Sequence, residues 1–193
     1  GPTRPAVPPA HRAAFFAALG EAPIDWYQGG WRAELPGWGS SVGTPAQIAA
    51  AAAALTAWAK AVPEEARLAG LDALLLLARR IQGPGPDVGP ALRAAHELLP
   101  TVDAAAAQTW VLGELESGGY YANRVALARL AKDLGAEAYE AALRVLEVWV
   151  ERTEVNEGTS CWWALHELGH ADRADAAAAR RSAREARDAA KPK

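Results

Sequence analysis

The segment whose residue types and spacing could most directly do chemistry is residues 166–170, which read HELGH. His166 and His170 are four residues apart, and side chains at that spacing share one face of a helix. Two imidazoles on one face can hold a Zn²⁺ ion, and the carboxylate of Glu167 could then act as general base toward a metal-bound water. On an unbroken helix, this segment predicts a metal site with hydrolytic chemistry.

The segment also resembles the H-E-x-x-H signature of the zincins, including the uncharged residues 163–165 that precede it. The resemblance implies a zinc-dependent hydrolase or peptidase, with His166 and His170 as metal ligands and Glu167 as the base. A catalytic zinc needs a third protein ligand. The sequence after His170 offers three carboxylates for that role: Asp172, Asp175 and Glu185.

Gly169 predicts a different structure for the same residues. Glycine is favoured just past the C-terminal end of a helix, and Asp172 is a natural N-cap for a following helix. A helix end here would move His170 off the face that His166 occupies. We favour this interpretation, in which the segment is a turn between two helices.

Residues 22–43 form a second candidate site. Their proline and glycine content predicts a long loop, which also carries four large aromatic residues: Trp26, Tyr27, Trp31 and Trp38. Trp and Tyr supply large contact areas at low entropic cost and are common at binding hot spots. We expect a binding surface here; the alternative is that these side chains seal the helical core.

Cys161 is the only cysteine of the chain, and it lies five residues before His166. Residues five apart on a helix do not face each other well. A free cysteine is most often a small buried apolar residue, and that is what we expect of Cys161.

From residue 44 onward the apolar periodicity is helical. One predicted helix has an apolar face made of Ile48, Ala52, Leu55, Ala59 and Val62. A later one has a stripe of Tyr139, Leu143, Leu146 and Val150, widened by Ala142 and Trp149. Thr44 is a suitable N-cap and Pro45 suits the first helical position, and glycines punctuate the later helical segments. No segment alternates apolar and polar residues as a half-buried strand does. The sequence therefore predicts an all-α fold of antiparallel helical hairpins, as a bundle or a short helical-repeat array. We expect an irregular N-terminal segment over residues 1–43, with a short helix and the Trp-rich loop, and a helical domain over residues 44–193.

Two segments of the chain show a weak sequence similarity to each other. Residues 110–115 (WVLGEL) align with residues 163–168 (WALHEL), and each is followed by turn-like residues and then a helix rich in Ala and Arg. The second segment resembles a HEAT-like helix pair, in which Leu-Gly ends one helix and an Asp in the turn caps the next. The resemblance implies a helical-repeat fold that works by binding other proteins.

Composition narrows the function classes. The charged fraction of 22% and the hydrophobic fraction of 51% are typical of globular proteins, and the net charge of −3 gives no general attraction to nucleic acid. We see no apolar run long enough to span a bilayer and no secretory signal. A single cysteine excludes an intrachain disulfide and fits a reducing compartment. We therefore expect a cytoplasmic protein with neither a membrane nor a nucleic-acid partner; the sequence leaves its oligomeric state open.

Our leading interpretation is a non-enzymatic helical module without a cofactor. It would bind another macromolecule, most simply a protein, in an adaptor, inhibitor or immunity-type role. The alternative is a zinc-dependent metallohydrolase or peptidase that uses His166, Glu167 and His170. A third possibility is a small-molecule pocket under the Trp-rich loop.

Overall fold

The computed structural model describes residues 5–20, 45–78, 89–117 and 121–192, and for residues 121–123 it describes the backbone only. Every regular element in these ranges is helical, and none is a strand, which confirms the predicted all-α class. The described part of the chain forms nine α-helices: α1 Pro9–Leu19, α2 Pro45–Ala61, α3 Arg67–Ala78, α4 Gly89–Leu98, α5 Ala104–Glu116, α6 Tyr121–Leu134, α7 Ala136–Arg152, α8 Glu157–Glu167 and α9 Ala171–Ala189. Two short 3₁₀ helices, Glu64–Ala66 and Leu99–Thr101, precede α3 and follow α4.

The chain divides into two compact units, residues 1–110 and residues 111–193, and α5 crosses the boundary between them. In the first unit, α2 packs against α1, α3 and α4, and α3 packs against α4. In the second, α7 packs against α6, α8 and α9, and α8 also contacts α6 and α9. The domain boundary predicted between residues 43 and 44 lies outside the described residues. None of the described helices is both long and apolar enough to cross a membrane.

The core of the first unit follows the apolar pattern of the sequence. Helix α2 buries four residues of the stripe predicted for it, Ile48, Ala52, Leu55 and Ala59, and the fifth, Val62, is buried just after the helix ends. Helix α3 is buried on all sides over residues 71–77, including the carboxylate of Asp72. A helix apolar all round is typical of the centre of a core. The indole of Trp110 donates to Asp72 over 3.4 Å, so this buried carboxylate has a partner.

In the second unit, α7 is the central helix. Of the stripe predicted for it, Leu143, Leu146, Val150 and the neighbouring Ala142 are buried, whereas Tyr139 and Trp149 are only half-buried. Helix α5, which begins in the first unit, starts with a side-chain cap, since the amide of Ala106 donates to Asp103 at 2.9 Å. The predicted cap of α9 is wrong: the N-cap position is occupied by His170, and Asp172 lies inside the first turn. Its carboxylate there still suits the positive end of the helix dipole.

Candidate functional site

The HELGH segment is a turn between two helices. Helix α8 ends at Glu167, and Gly169 adopts a φ of +85°. The amide of Gly169 donates to the carbonyl of His166 at 3.1 Å, and the amide of His170 donates to the carbonyl of Leu165 at 2.8 Å. This pair of bonds is the Schellman pattern, in which a glycine with positive φ closes a helix. The helix end predicted from Gly169 is confirmed.

The two imidazoles of this turn have different partners. Nε2 of His166, in the last turn of α8, lies 3.4 Å from Oδ1 of Asp175 on α9. Nε2 of His170 lies 2.9 Å from the hydroxyl of Tyr139 on α7. Glu167, the base of the zinc hypothesis, is exposed. The side chains are thus engaged separately, and among the described residues no three His, Cys, Asp or Glu side chains are grouped so that they could hold a metal ion.

Zinc binding by His166 and His170, with Glu167 as the general base, stays a hypothesis that metal analysis can test. We expect untagged protein purified without chelator to contain much less than one zinc per chain, because the helix that would align the imidazoles ends between them. A His166→Ala variant is the control, measured by mass spectrometry of the metal content. About one zinc per chain in the parent protein, lost in the variant, would contradict this expectation.

Cys161 lies in the middle of α8 and is fully buried, as expected. Burial raises the pKa of its thiol to about 12, although the nearby Arg124 acts in the opposite direction. The thiol is therefore protonated at neutral pH, whereas a nucleophilic cysteine must be a thiolate. The position of Cys161 indicates a packing role.

The predicted aromatic binding surface lies outside the described residues. Trp26, Tyr27, Trp31 and Trp38 all belong to residues 21–44, for which no structure is described. Their role stays a prediction.

A different aromatic surface appears on α8. Two large hydrophobic side chains are exposed in the described ranges: Val155 (61%) and Trp163 (55%). They lie on one open groove of about 730 Å³, together with three polar residues: Asn156, Thr159 and Ser160. We call this surface the α8 groove. An exposed Trp beside an apolar neighbour and several hydrogen-bonding groups is typical of a protein-binding surface.

The loop from α7 to α8 shapes one end of the groove. The hydroxyl of Thr159 donates to the backbone carbonyl of Glu154, and the amide of Gly158 donates to the carbonyl of Val155 at 3.1 Å. The backbone passes so close that a Cβ at Gly158 would lie 1.9 Å from the carbonyl oxygen of Thr153. Only glycine fits this close approach.

Asn156, which lines the groove, carries backbone strain. Its φ of 51° and ψ of −110° fall in a region that residues with a Cβ rarely occupy. Such strain costs on the order of 1–3 kcal/mol and tends to occur at functional sites. The strain places an amide side chain beside Val155 and Trp163.

We expect Asn156→Gly to raise the free energy of unfolding by about 0.5–1 kcal/mol, because glycine adopts this conformation without strain. Denaturant titration measures the effect. Asn156→Ala, which keeps a Cβ and loses the amide, is the control and should not be stabilised. A glycine variant less stable than the parent would show that the side-chain amide of Asn156 adds more to the free energy of unfolding than the backbone strain removes.

Arg173 ties α9 to α7 through two glutamates. Its guanidinium donates two hydrogen bonds of 2.8 Å to Glu140 and one of 2.8 Å to Glu147. The hydrogen bond from Arg173 is the main cause that lowers the pKa of Glu140. Burial opposes ionisation of Glu147, but hydrogen bonds from Arg173 and Arg144 still lower its pKa overall. Both carboxylates are therefore better stabilised as anions in the folded chain.

The same pattern continues along the two helices. Arg144 lies 3.3 Å from Glu147 and 3.0 Å from Glu151, and Arg180 of α9 donates to Glu151 at 2.8 Å. We call this row the ion-pair ladder; its members are Glu140, Arg144, Glu147, Glu151, Arg173 and Arg180. Since α9 itself buries only Ala174 and Ala177 as apolar residues, the ladder is a main connection between α9 and α7.

We expect Arg173→Met to lower the free energy of unfolding at neutral pH by about 1–2 kcal/mol, mostly because Glu147, only 9% exposed, loses a partner. The pKa values of Glu140 and Glu147 are lowered by folding, so the ladder stabilises the protein above the unfolded pKa of about 4.3 and loses this effect as pH falls further. The difference between variant and parent should therefore shrink when denaturant titrations are moved from pH 7 toward pH 3. Arg93→Met, at an exposed position of α4, should show no such pH-dependent difference.

The charge around the α8 groove is negative. Residues 154–170 contain three carboxylates, Glu154, Glu157 and Glu167, and neither Lys nor Arg. The arginines of the ladder are bound to carboxylates of α7. Arg152, the last residue of α7, rests over the ring of Trp149 at 5.2 Å. The exposed carboxylates of Glu154 and Glu167 have no ion pair within the described ranges.

The α8 groove could have been found from one feature of the sequence. Trp163 lies four residues after Thr159 and four before Glu167, so all three share one helix face. All three are exposed in the structure. A Trp between two polar residues on one face indicates an exposed aromatic side chain. Of the two sites predicted from the sequence, the HELGH segment includes only Glu167 of this face, and the Trp-rich loop includes none of it.

Comparison of the chain with known protein families, with curated proteins and with solved structures found no match. The HEAT-like resemblance of residues 163–180 therefore rests on those residues alone.

Proposed function

We propose that the protein is a non-enzymatic helical module that binds a protein partner through the α8 groove. The observation that carries this proposal is the 55% exposure of Trp163 on the open groove that it shares with Val155. Covering a large aromatic side chain that is in contact with water lowers the free energy, and this favours binding of a partner. An adaptor, an inhibitor and an immunity-type protein all work in this way.

The polar residues of the groove suit a protein partner. Ser160 and Asn156 offer a hydroxyl and an amide that can donate and accept hydrogen bonds beside the indole of Trp163. A binding surface commonly combines one aromatic anchor with a rim of such groups. The buried thiol of Cys161 and the separately engaged imidazoles of His166 and His170 support a binding role better than a catalytic one.

The predicted location and the second predicted surface are part of the same proposal. A free, buried cysteine is compatible with the reducing cytoplasm. Trp26, Tyr27, Trp31 and Trp38 would provide a further contact surface in an adaptor.

Photo-crosslinking tests the proposal directly. The exposed Thr159 is replaced by p-benzoylphenylalanine, and the full chain is expressed in its source cells and irradiated. We expect a covalent adduct between this chain and a protein, which disappears when Trp163→Ala is added. The same photoreactive residue at Thr109, an exposed helical threonine of the first unit, is the control. The proposal would be rejected if position 159 gave no adduct beyond that seen at position 109.

A further inference from the structure

Arg181 joins α9 to the point where the α7–α8 loop begins. Its Nη1 donates to the carbonyl of Val150 at 2.9 Å and to the carbonyl of Thr153 at 3.2 Å. The last carbonyls of a helix have no partner within the helix, and the guanidinium supplies one for two carbonyls at the end of α7. The side chain of Arg181 is only 11% exposed. The loop is therefore bonded to α9 at its first residue.

Thr153 in turn shapes the rest of the loop. Its carbonyl oxygen is the atom that the backbone of Gly158 approaches so closely that only glycine fits. Its hydroxyl accepts a hydrogen bond from the amide of Val155 at 3.2 Å. The loop carries Val155 and Asn156, which line one end of the α8 groove. A displacement of the Thr153 carbonyl would therefore move this end of the groove.

A second contact with α9 lies beside the exposed Trp163. The indole of Trp162 donates to Oδ1 of Asp175 on α9 at 3.2 Å. Nε2 of His166 lies 3.4 Å from the same oxygen, and the imidazole and the ring of Trp162 are 3.9 Å apart. The rings of Trp162 and Trp163 are 4.9 Å apart in an edge-to-face arrangement, which is a preferred geometry for aromatic pairs. Asp175 thus holds the indole against which Trp163 packs.

The helix that makes both contacts is attached mostly through polar groups. Ala174 and Ala177 are the residues that α9 buries, and Arg173 and Arg180 join it to α7 through the ion-pair ladder. Residues 182–189 are all exposed. Elements with few buried apolar contacts are released at a lower free energy than the core of a protein. We therefore expect α9 to leave the second unit before the other helices unfold.

We propose that docking of α9 sets the shape of the α8 groove, with Arg181 and Asp175 as the positioning residues. When α9 is docked, Arg181 holds the α7–α8 loop and Asp175 holds the support of Trp163. When α9 is released, the loop and the aromatic anchor both lose these bonds, and a partner binds the groove less tightly. This inference rests on the proposed function, since it concerns the regulation of the same groove. The coupling is reciprocal, so a partner that requires the docked shape favours docking of α9 by the same factor.

Amide hydrogen exchange of the purified full chain tests the inference without a partner. Arg181→Met removes the hydrogen bonds to the two carbonyls and keeps much of the volume of the side chain. The amides of Val155 and Gly158, which donate to Thr153 and Val155, report on the loop. We expect both amides to exchange at least about tenfold faster in the variant, because two hydrogen bonds that fix the loop are lost.

Two further variants separate positioning from a general loss of stability. Arg184→Met makes the same replacement at an exposed position three residues further along α9 and should leave the loop amides unchanged. Arg181→Lys keeps a charged donor that can reach one carbonyl at a time, so its loop amides should exchange at rates between those of the parent and Arg181→Met. In each variant the amides of Leu127 and Leu130, buried residues of α6, should keep the exchange rates of the parent.

Photo-crosslinking from position 159 measures the effect on binding. Arg181→Met and Asp175→Ala should each lower the yield of the covalent adduct at least about threefold, the effect of losing a hydrogen bond that supports the groove. Asp175→Asn keeps an oxygen that accepts from the indole of Trp162, so its yield should stay close to that of the parent. The yield of Arg184→Met should not change.

The inference is overturned if Arg181→Met leaves the exchange of Val155 and Gly158 unchanged, or if it speeds the exchange of Leu127 by the same factor. It is overturned as well if the adduct at position 159 forms equally in the parent, Arg181→Met and Asp175→Ala. In that case the proposed function stands and its regulation by α9 does not. If position 159 gives no adduct in the parent, the proposed function fails, and the exchange rates still decide whether α9 positions the loop.

Discussion

Gly158→Ala is expected to lower the free energy of unfolding by about 3 kcal/mol or more. Helix propensity alone predicts the opposite sign, since alanine is favoured over glycine in a helix by about 0.5–1 kcal/mol. The added Cβ, however, would lie 1.9 Å from the carbonyl oxygen and 2.7 Å from the carbonyl carbon of Thr153. Both are backbone atoms, so the α7–α8 loop itself must move. Denaturant titration of the full chain measures the loss.

Gly169→Ala is the matched control for Gly158. Gly169 has a φ of +85°, but a Cβ there would meet no atom within 4 Å. Its replacement should cost only the strain of a left-handed alanine, about 1 kcal/mol. If Gly158→Ala lowered the free energy of unfolding no more than Gly169→Ala, the loop would be able to relax. The close approach of Gly158 to Thr153 would then not determine the shape of the groove.

Arg124→Ala is expected to lower the free energy of unfolding by about 3–4 kcal/mol, through the volume it leaves empty and the contacts it removes. The side chain is fully buried, and it donates to the carbonyl of Leu115 at 3.0 Å. The guanidinium lies over the ring of Trp149 at 5.6 Å. Burial lowers the pKa of Arg124, while the nearby Cys161 and Glu157 act in the opposite direction. This cation holds the end of α5 against the helices of the second unit.

Arg124→Met separates the packing of this side chain from its charge. Methionine fills much of the same volume without a charge, and replacing a buried charge by an apolar side chain is often nearly neutral. The indole of Trp149 still donates to the carbonyl of Leu115 at 3.2 Å in the parent structure. We therefore expect Arg124→Met to cost about 1 kcal/mol. Equal losses for the methionine and alanine variants would show that the charge, not the volume, is what the fold requires.

The fold could be predicted from the sequence to the level of its helices. The spacing of apolar residues predicted most of the buried faces of α2 and α7, and Gly169 predicted the end of α8. These features depend on neighbours along the chain, so local patterns report them. The predicted cap at Asp172 was wrong because the Schellman turn at Gly169 shifts the start of α9, and His170 takes the N-cap position. The helix starts two residues earlier because of the geometry of the turn. The residue types alone do not indicate this geometry.

The candidate site was harder to predict because it depends on contacts between helices. The sequence singled out His166 and His170 for their spacing, but their partners, Asp175 and Tyr139, come from other helices. The exposure of Trp163 likewise depends on which face of α8 turns toward α6, α7 and α9. The ion-pair ladder joins residues about thirty positions apart in sequence, and no local pattern indicates such pairs.

Because of the ion-pair ladder, the stability with which α9 is attached should depend on temperature differently from the stability of the core. Only Ala174 and Ala177 are buried as apolar residues of α9, so releasing this helix exposes little apolar surface and changes the heat capacity little. The cost of desolvating charged groups falls as temperature rises, whereas apolar attraction weakens on cooling. The attachment of α9 should thus vary only gently with temperature, while the leucine-rich centre around α3 follows the curved stability profile of an ordinary core. The chain therefore combines a core stabilised mainly by the hydrophobic effect and a C-terminal helix attached mainly by ion pairs.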